Sequence, residues 1–509
     1  MFDNLTNKSF LNWYYISLII ILISGIGIRW YWATLKEGMH VDEVASFSLA
    51  ESLDGSYNRS LYEEDAQSRQ MTGRELKQFF FIHDNSIDGI VSDLRSMHHR
   101  MFVHDHTNFY YSILRVFFYN VDSLDTKVII RHGIFLNLIF FILSFIVLWR
   151  ILLLYFDSKI IVRCTLSCFS FMPGAISDAL FIRPYELQMF TVLLLAWWLS
   201  KIYIAMENGE WIYNIKNFII TAFVLAIVLW TGYFMSILVF VFGVPLLREI
   251  SRRDNKYVGF VFFTGTVLCS LLICFVLYKG YFVGYQGDSR ISEKILSLGS
   301  VARLMGSIKS WWQLLMQYTL PLFIVILFSI MILLRSIRVS YMPVFLPYAF
   351  LFTLLVMLLA PYPRNRYIVA VSPLLLLVIP SVLNSLKKQR SKYLLSFIVV
   401  SIYFISSLQE KNIEHLYKSP ELTVLKSDEI YKIHFVQNLE GQLFWLVPNV
   451  SDDVTYNISK KVNMQEYKDG DIIVYSSRFY DVPVTFPSNR FEEIGKSRDY
   501  FIYRVNERN

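Results

Sequence analysis

Four short stretches combine acids, arginines, histidines and tyrosines in a way that suits proton transfer and phosphate binding. They are Met39-His40-Val41-Asp42-Glu43, His104-Asp105-His106-Thr107-Asn108-Phe109-Tyr110-Tyr111, the segment from Ser177-Asp178 through Arg183-Pro184-Tyr185-Glu186, and Pro361-Tyr362-Pro363-Arg364-Asn365-Arg366-Tyr367. A carboxylate such as Asp42, with Glu43 beside it, can take a proton from an attacking hydroxyl, a contribution of roughly 10²–10⁴-fold. Arg183, Arg364 and Arg366 offer planar, permanently charged forks that match phosphate oxygens. His106, Tyr110, Tyr185 and Tyr367 supply further substrate-facing groups. Glu43, His104, Asp105 and His106 are candidates for a divalent cation, although two alternating histidines and an acid do not complete a site. Each group also has a plainer explanation: acids favour helix N-termini, arginines snorkel at helix ends, and loop histidines are solvated.

The elements that must carry these stretches are apolar. Of 509 residues, 55% are hydrophobic, 17% aromatic and only 17% charged, with mean hydropathy +0.43; a soluble chain carries about 25% charged residues. The run from Phe10 to Ala33 is long enough for a bilayer core of about 30 Å. It lacks the small-residue cleavage site of a signal peptide. Further apolar runs lie at 128–155, 160–177, 185–205, 217–231, 233–250, 257–278, 311–334, 341–360, 367–386 and 392–408. The expected fold is therefore mainly α, a polytopic membrane protein of about eleven transmembrane helices. The stretch 217–250 is too long for one crossing, roughly 50 Å at 1.5 Å per residue, and Thr231-Gly232-Tyr233 is the natural break. With that break most loop lysines and arginines fall on one side. The positive-inside rule then makes the N-terminus cytoplasmic and puts all four stretches on the outer face.

Two polar regions flank this membrane part. The first outer loop, 34–127, includes an amphipathic stretch at Asn108–Asn120 that is too short to span and suits the interface. From 409 to 509 charge and amide content rises, and Asp471–Ser476 and Tyr500–Val505 read as strands. The expected division is a transmembrane catalytic domain, 1–408, and a small outer α/β domain, 409–509. The four cysteines, Cys164, Cys168, Cys269 and Cys274, all sit in apolar runs and read as small buried hydrophobes. The net charge of +7 is spread over short loops, without the basic, aromatic-interleaved stripe of a nucleic-acid binder.

Over about residues 10–408 the chain resembles the GT-C class of membrane glycosyltransferases. It looks most like the family 39, aminoarabinose-transferase-like and protein O-mannosyltransferase-like enzymes, which use polyprenyl-phosphate sugars. The matching pieces are Asp42-Glu43 after the first span, His106 to Tyr111, Arg183-Pro184-Tyr185, and Arg366-Tyr367. Where that family commonly has His-Pro-Pro before Leu-Tyr-Tyr, this chain has His106-Thr107-Asn108-Phe109-Tyr110-Tyr111. The resemblance implies Asp42 as catalytic acid/base and Arg183 and Arg366 on the donor phosphate.

The resulting expectation is a bacterial inner-membrane enzyme with a periplasmic site. It would move a sugar from a polyprenyl phosphate to an envelope lipid, glycan or protein hydroxyl, with inversion implied by a single displacement. The 279–310 loop, with Tyr281, Tyr285 and Arg290, would cover the site. A polyprenyl-linked glycan ligase or polymerase, a flippase and a structural envelope protein are the rivals. Transporters commonly show internal repeats, and none is visible here.

Overall fold

The computed structural model describes residues 2–50, 68–81, 85–100, 107–121, 123–278, 301–321, 342–360, 364–418, 422, 424–425, 433–436, 446–459, 462–476, 485–497 and 500–506. The chain forms two compact units. One comprises Met1–Trp32, Met101–Tyr110 and Ile134–Glu414; the other comprises Ala33–Arg100, Tyr111–Gly133 and His415–Asn509. This differs from the expected division at 408/409. Of the 34–127 loop, 34–100 and 111–127 fall with the C-terminal region, and 68–72 supply a strand to its sheet.

The first unit is helical. Its elements include α1 (Phe2–Thr34, which belongs here as far as Trp32), the main length of α6 (Thr126–Tyr155), α7 (Lys159–Ser170), α8 (Pro173–Ala179), α9 (Tyr185–Glu207), α10 (Ile215–Thr231), α11 (Met235–Ser251) and α12 (Lys256–Leu277). They continue with α13 (Val301–Tyr318), α14 (Leu346–Leu359), α15 (Ser372–Leu375), α16 (Val378–Asn384) and α17 (Gln389–Ser407). Among the described residues, Trp13–Thr34, Thr126–Tyr155, Tyr185–Glu207 and Lys256–Leu277 are long and apolar enough to cross a membrane. This is an integral membrane protein.

Eleven uniform spans are not what the described residues hold. The expected span at 160–177 is α7 and α8, bent by 50°. Pro173 opens α8 at a position where its missing N–H costs nothing. The run 367–386 is likewise broken into two 3₁₀ turns, α15 and α16. The run 217–250 does break at Gly232. There Gln188 Nε2 donates to the Thr231 carbonyl at 2.8 Å, satisfying an orphan acceptor at the end of α10. Positions 279–300, with Tyr281, Tyr285 and Arg290, and 322–341 lie outside the described residues, while 301–310 begins α13.

The centre of this unit is α9, which packs against α8, α10, α11 and the 369–375 stretch. Its buried positions, such as Met189, Val192, Leu195 and Leu199, lie within one large apolar core. By contrast α12 turns Val261, Leu268 and Leu272 outward, as a helix facing lipid would. Cys164, Cys168 and Cys274 are free and buried.

The second unit is built on a sheet. Among the described residues its strands are β1 (Ser68–Thr72), β2 (Ile433–Val436), β3 (Thr455–Ser459), β4 (Ile472–Ser476), β5 (Phe491–Ser497) and β6 (Tyr500–Val505), in the order β1-β3-β2-β4-β6-β5. Strand β2 runs parallel to both β3 and β4 and is buried throughout, as parallel strands require. The expected strands are β4 and β6, paired antiparallel. From the 34–127 loop, β1 pairs antiparallel with β3. It leads into α3 (Gly73–Phe80) through a capping box between Thr72 and Glu75. Lys77 on α3 then reaches Asp452 at 2.7 Å. The helices α4 (Ile87–Arg100) and α5 (Phe109–Phe117) are tied by a buried Arg115–Asp93 pair at 2.6 Å. The amphipathic stretch of the outer loop is α5.

Candidate active site

In the first unit, buried charge gathers where α8, the 180–184 turn and α9 meet the 365–367 turn. Ser177 and Asp178 end α8, Arg183 occupies the tight turn, and Glu186 sits in the first turn of α9. Arg183 is only 2% exposed, and Asp178, Glu186 and Asn365 are fully buried. Asp178 lies within electrostatic reach of Glu186, Glu414 and Arg366. Glu414 in turn faces Arg364, Arg366 and Tyr318. The third and fourth stretches of the sequence, far apart along the chain, are therefore brought together.

The polar atoms here are poorly satisfied. Among the described residues, neither oxygen of Asp178 or Glu186 has a hydrogen-bond partner, nor does either polar atom of the Asn365 amide. Each such atom costs about 1–3 kcal/mol, more when charged. Buried groups of this kind call for an explanation beyond stability.

The surroundings hold the cluster in place. The Glu414 backbone N–H donates to Ser177 Oγ at 2.9 Å, and Ser177 Oγ donates to the Pro173 carbonyl at 2.8 Å. Gly174 brings α8 against the end of α13: a Cβ there would stand 2.9 Å from the Tyr318 carbonyl oxygen. Burial raises the Glu414 carboxyl above its ordinary range, opposed by the Tyr318 hydrogen bond and by Arg364 and Arg366. Arg29 on α1 donates to the carbonyls of Gly25 and Ser170 at 3.0 and 2.7 Å and lies 3.6 Å from the Phe141 ring centroid. It lies within electrostatic reach of Glu186.

Of the tyrosines, Tyr185 stacks on Phe181 and Tyr367 meets Phe234 edge-on, with Arg366 5.4 Å from the Tyr367 ring. Tyr110 is buried, and its hydroxyl donates to Asn137 Oδ1 at 3.2 Å. Asn137 donates onward to the carbonyls of Ala179 and Phe181 at 3.2 and 2.8 Å. Tyr110, expected as a substrate contact, is thus linked through Asn137 to the turn that carries Arg183. Trp230 stacks on Phe109 and donates to Asn108 Oδ1 at 2.6 Å.

Asp42 and Glu43 open α2 (Val41–Ala50) in the second unit. Glu43 is fully buried, and both of its oxygens accept from Lys36 Nζ, at 2.7 and 2.9 Å. The His40 backbone N–H donates to the same carboxylate at 2.7 Å. Burial pulls the Lys36 ammonium below its ordinary range, and Glu43 opposes this. Both oxygens of Glu43, expected as a second catalytic acid or metal ligand, are thus engaged by Lys36. Asp42 differs: its side chain is 27% exposed, with His40 Nδ1 3.4 Å away. That nitrogen also accepts the Asp42 backbone N–H at 3.1 Å. Among the described residues no group of three or more His, Cys, Asp and Glu converges as metal ligands would. His104, Asp105 and His106 lie outside the described residues.

Sequence reasoning gave no role to Arg29, Lys36, Asn365 or Glu414. Arg29 carried a signal, a lone cation inside the first apolar run. Glu414 did not, since it follows the last span among other polar residues.

No protein-family model matches the chain, and no curated protein matches it in sequence. Among solved structures it is similar to ArnT from Cupriavidus metallidurans, crystallised with undecaprenyl phosphate. The TM-score is 0.46 at 10% identity, over 95% of this chain and 97% of that one. It is also similar to the oligosaccharyltransferase of Archaeoglobus fulgidus tethered to an acceptor peptide, with TM-score 0.43 and 10% identity over 86% and 63% of the two chains. A second structure of that enzyme, with Zn and sulfate, gives 0.38 at 10% identity over 81% and 61%. The chain thus spans less than two thirds of the oligosaccharyltransferase. These are likenesses in the general course of the chain, too distant to carry chemistry from one protein to the other.

Proposed function

We propose that this protein is a membrane glycosyltransferase that moves a sugar from a polyprenyl-phosphate donor to a hydroxyl of an envelope lipid, glycan or protein. The observation that carries the proposal is the meeting of the buried acids Asp178 and Glu186 with half-buried Glu414 and Arg366 and exposed Arg364, beside the turn that holds buried Arg183, in an apolar helical unit. Arginines set among helices at that depth suit an anionic ligand delivered by a lipid.

In this reading Arg364, which is exposed, and Arg366, half-buried, hold the donor phosphate. Arg183, nearly enclosed, adds positive charge behind them. Asp42 accepts the proton of the acceptor hydroxyl as its oxygen attacks the anomeric carbon. The bond from that carbon to the phosphate oxygen breaks, and the lipid phosphate leaves with its added charge on the guanidinium side. One displacement inverts the anomeric carbon. The site faces the periplasm, with the N-terminus in the cytoplasm.

Transfer from a radiolabelled lipid donor tests the assignment of Asp42. The Asp42→Asn variant, at wild-type protein level, is expected to lose about 10²–10⁴-fold in rate. Undiminished transfer removes Asp42 from the mechanism.

A further inference from the structure

The second unit contains a cavity of about 330 Å³ outside the cluster just described. We propose that it is a binding site for a phosphate-bearing anion, with Lys127 and Arg131 as the recognising cations. Its volume lies in the range of small-ligand pockets, about 300–1,000 Å³.

The walls come from four pieces of chain: the last residues of α1 with Leu35–Glu37, the first turns of α6, Tyr417 and Asn449. They are fastened to one another. The Glu37 backbone N–H donates to the Leu416 carbonyl, and Thr126 Oγ1 donates to the Pro448 carbonyl, both at 3.0 Å. Gly38 passes so near Tyr417 that a Cβ would stand 2.9 Å from the Tyr417 carbonyl oxygen. Tyr417 itself is held at φ 46°, in the left-handed region that a bulky residue seldom occupies. The site is therefore built before any ligand arrives.

Its charge is lopsided. Lys127 and Arg131 are one helical turn apart on α6, a like-charge spacing that disfavours the helix unless an anion lies between. Among the described residues no acid forms an ion pair with either. The third lining cation, Lys36, is already committed to Glu43. Glu37, the acid of the lining, is exposed and can turn to water. The first turn of α6 is already capped by Asp125, whose Oδ1 accepts the Lys127 backbone N–H at 2.9 Å, so recognition rests on the two side-chain cations.

Location names the source. Ala33 and Thr34 close one candidate membrane helix, and Lys127, Ile130 and Arg131 open another. The ends of membrane helices lie at headgroup level, where Lys and Arg meet lipid phosphates. The shared chemistry is a phosphate ester or free phosphate; a lipid headgroup is the form such a position meets.

The full chain in nanodiscs distinguishes these sources. One arm uses phosphatidylcholine with and without phosphatidylglycerol and counts retained lipid by native mass spectrometry. The other adds inorganic phosphate to phosphatidylcholine discs and measures binding by calorimetry. Retention of phosphatidylglycerol assigns the site to a headgroup, and phosphate binding alone assigns it to the free anion. In either case the Lys127→Gln/Arg131→Gln double variant is expected to lose at least about tenfold in affinity, as loss of charged hydrogen bonds predicts. If that variant misfolds, Asn449→Asp, which sets a carboxylate in the wall, is expected to give the same loss. Binding of neither probe, or equal binding by a folded variant, overturns the proposal.

Discussion

Two buried sets of charge in this chain are handled in opposite ways. In the second unit Lys36 and Glu43 are both fully enclosed and consume each other, with the His40 backbone completing the shell. In the first unit Asp178 and Glu186 are just as deeply enclosed, yet among the described residues their oxygens accept no hydrogen bond. A satisfied pair fixes architecture; an unsatisfied cluster stores a cost that only an additional interaction can offset. Burial alone therefore does not separate structural from functional charge; the count of completed hydrogen bonds does.

Substitutions at each set sharpen this contrast. Lys36→Met strands Glu43 in the interior, and the largest effect is expected there, a loss of about 3–5 kcal/mol in unfolding free energy. Lys36→Met with Glu43→Leu recovers most of it, because two apolar groups need no partners. Denaturant unfolding of the purified protein measures both. A stable but inactive double variant would instead give Glu43 a chemical role.

At the other set, Arg366→Ala is expected to lower transfer by roughly 10²–10³-fold, as for removal of a group that stabilises developing charge. Its melting temperature is expected to move little. A collapse of stability with unchanged specific activity would make the arginine structural and erase the difference between the sets.

A smaller effect concerns Glu414. Its carboxyl is raised by burial, so the folded state holds its proton more tightly than the unfolded state. That contribution is complete below the ordinary carboxylate range and is lost as pH rises through the raised value. Melting temperature should fall across that interval in the parent and less in Glu414→Gln. Equal slopes would show that other groups set the pH dependence. Smallest of all, Tyr110→Phe removes the hydrogen bond to Asn137 and should cost about 0.5–1.5 kcal/mol. Thermal unfolding reads it, and a change in substrate affinity at constant stability would return Tyr110 to the substrate.

The sequence made the apolar helices legible because lipid demands long uncharged runs, and length alone exposed the break at Gly232. It made β4 and β6 legible through their dense apolar and aromatic residues. It concealed β1, since Ser68-Arg69-Gln70-Met71-Thr72 has neither alternation nor β-branched density; its strand state comes from pairing with β3. It concealed the bend at Pro173, because an apolar run does not disclose its direction. The arginine- and acid-bearing turns were visible as candidates, but their meeting was not, as Asp178 and Arg366 are joined only by the fold. Glu43 looked reactive because Lys36, seven residues earlier and across the start of a helix, gave no spacing signal as its partner.

The placement of β1 has a consequence for how the protein is made. This strand leaves the ribosome well before its neighbour β3. The sheet must wait until the long stretch between them has been made, with β1 kept from other partners meanwhile. A C-terminal fragment beginning at 409 would expose the flank of β3 that β1 normally covers. Such a fragment should self-associate, and a separately supplied peptide containing 68–80 should suppress that association.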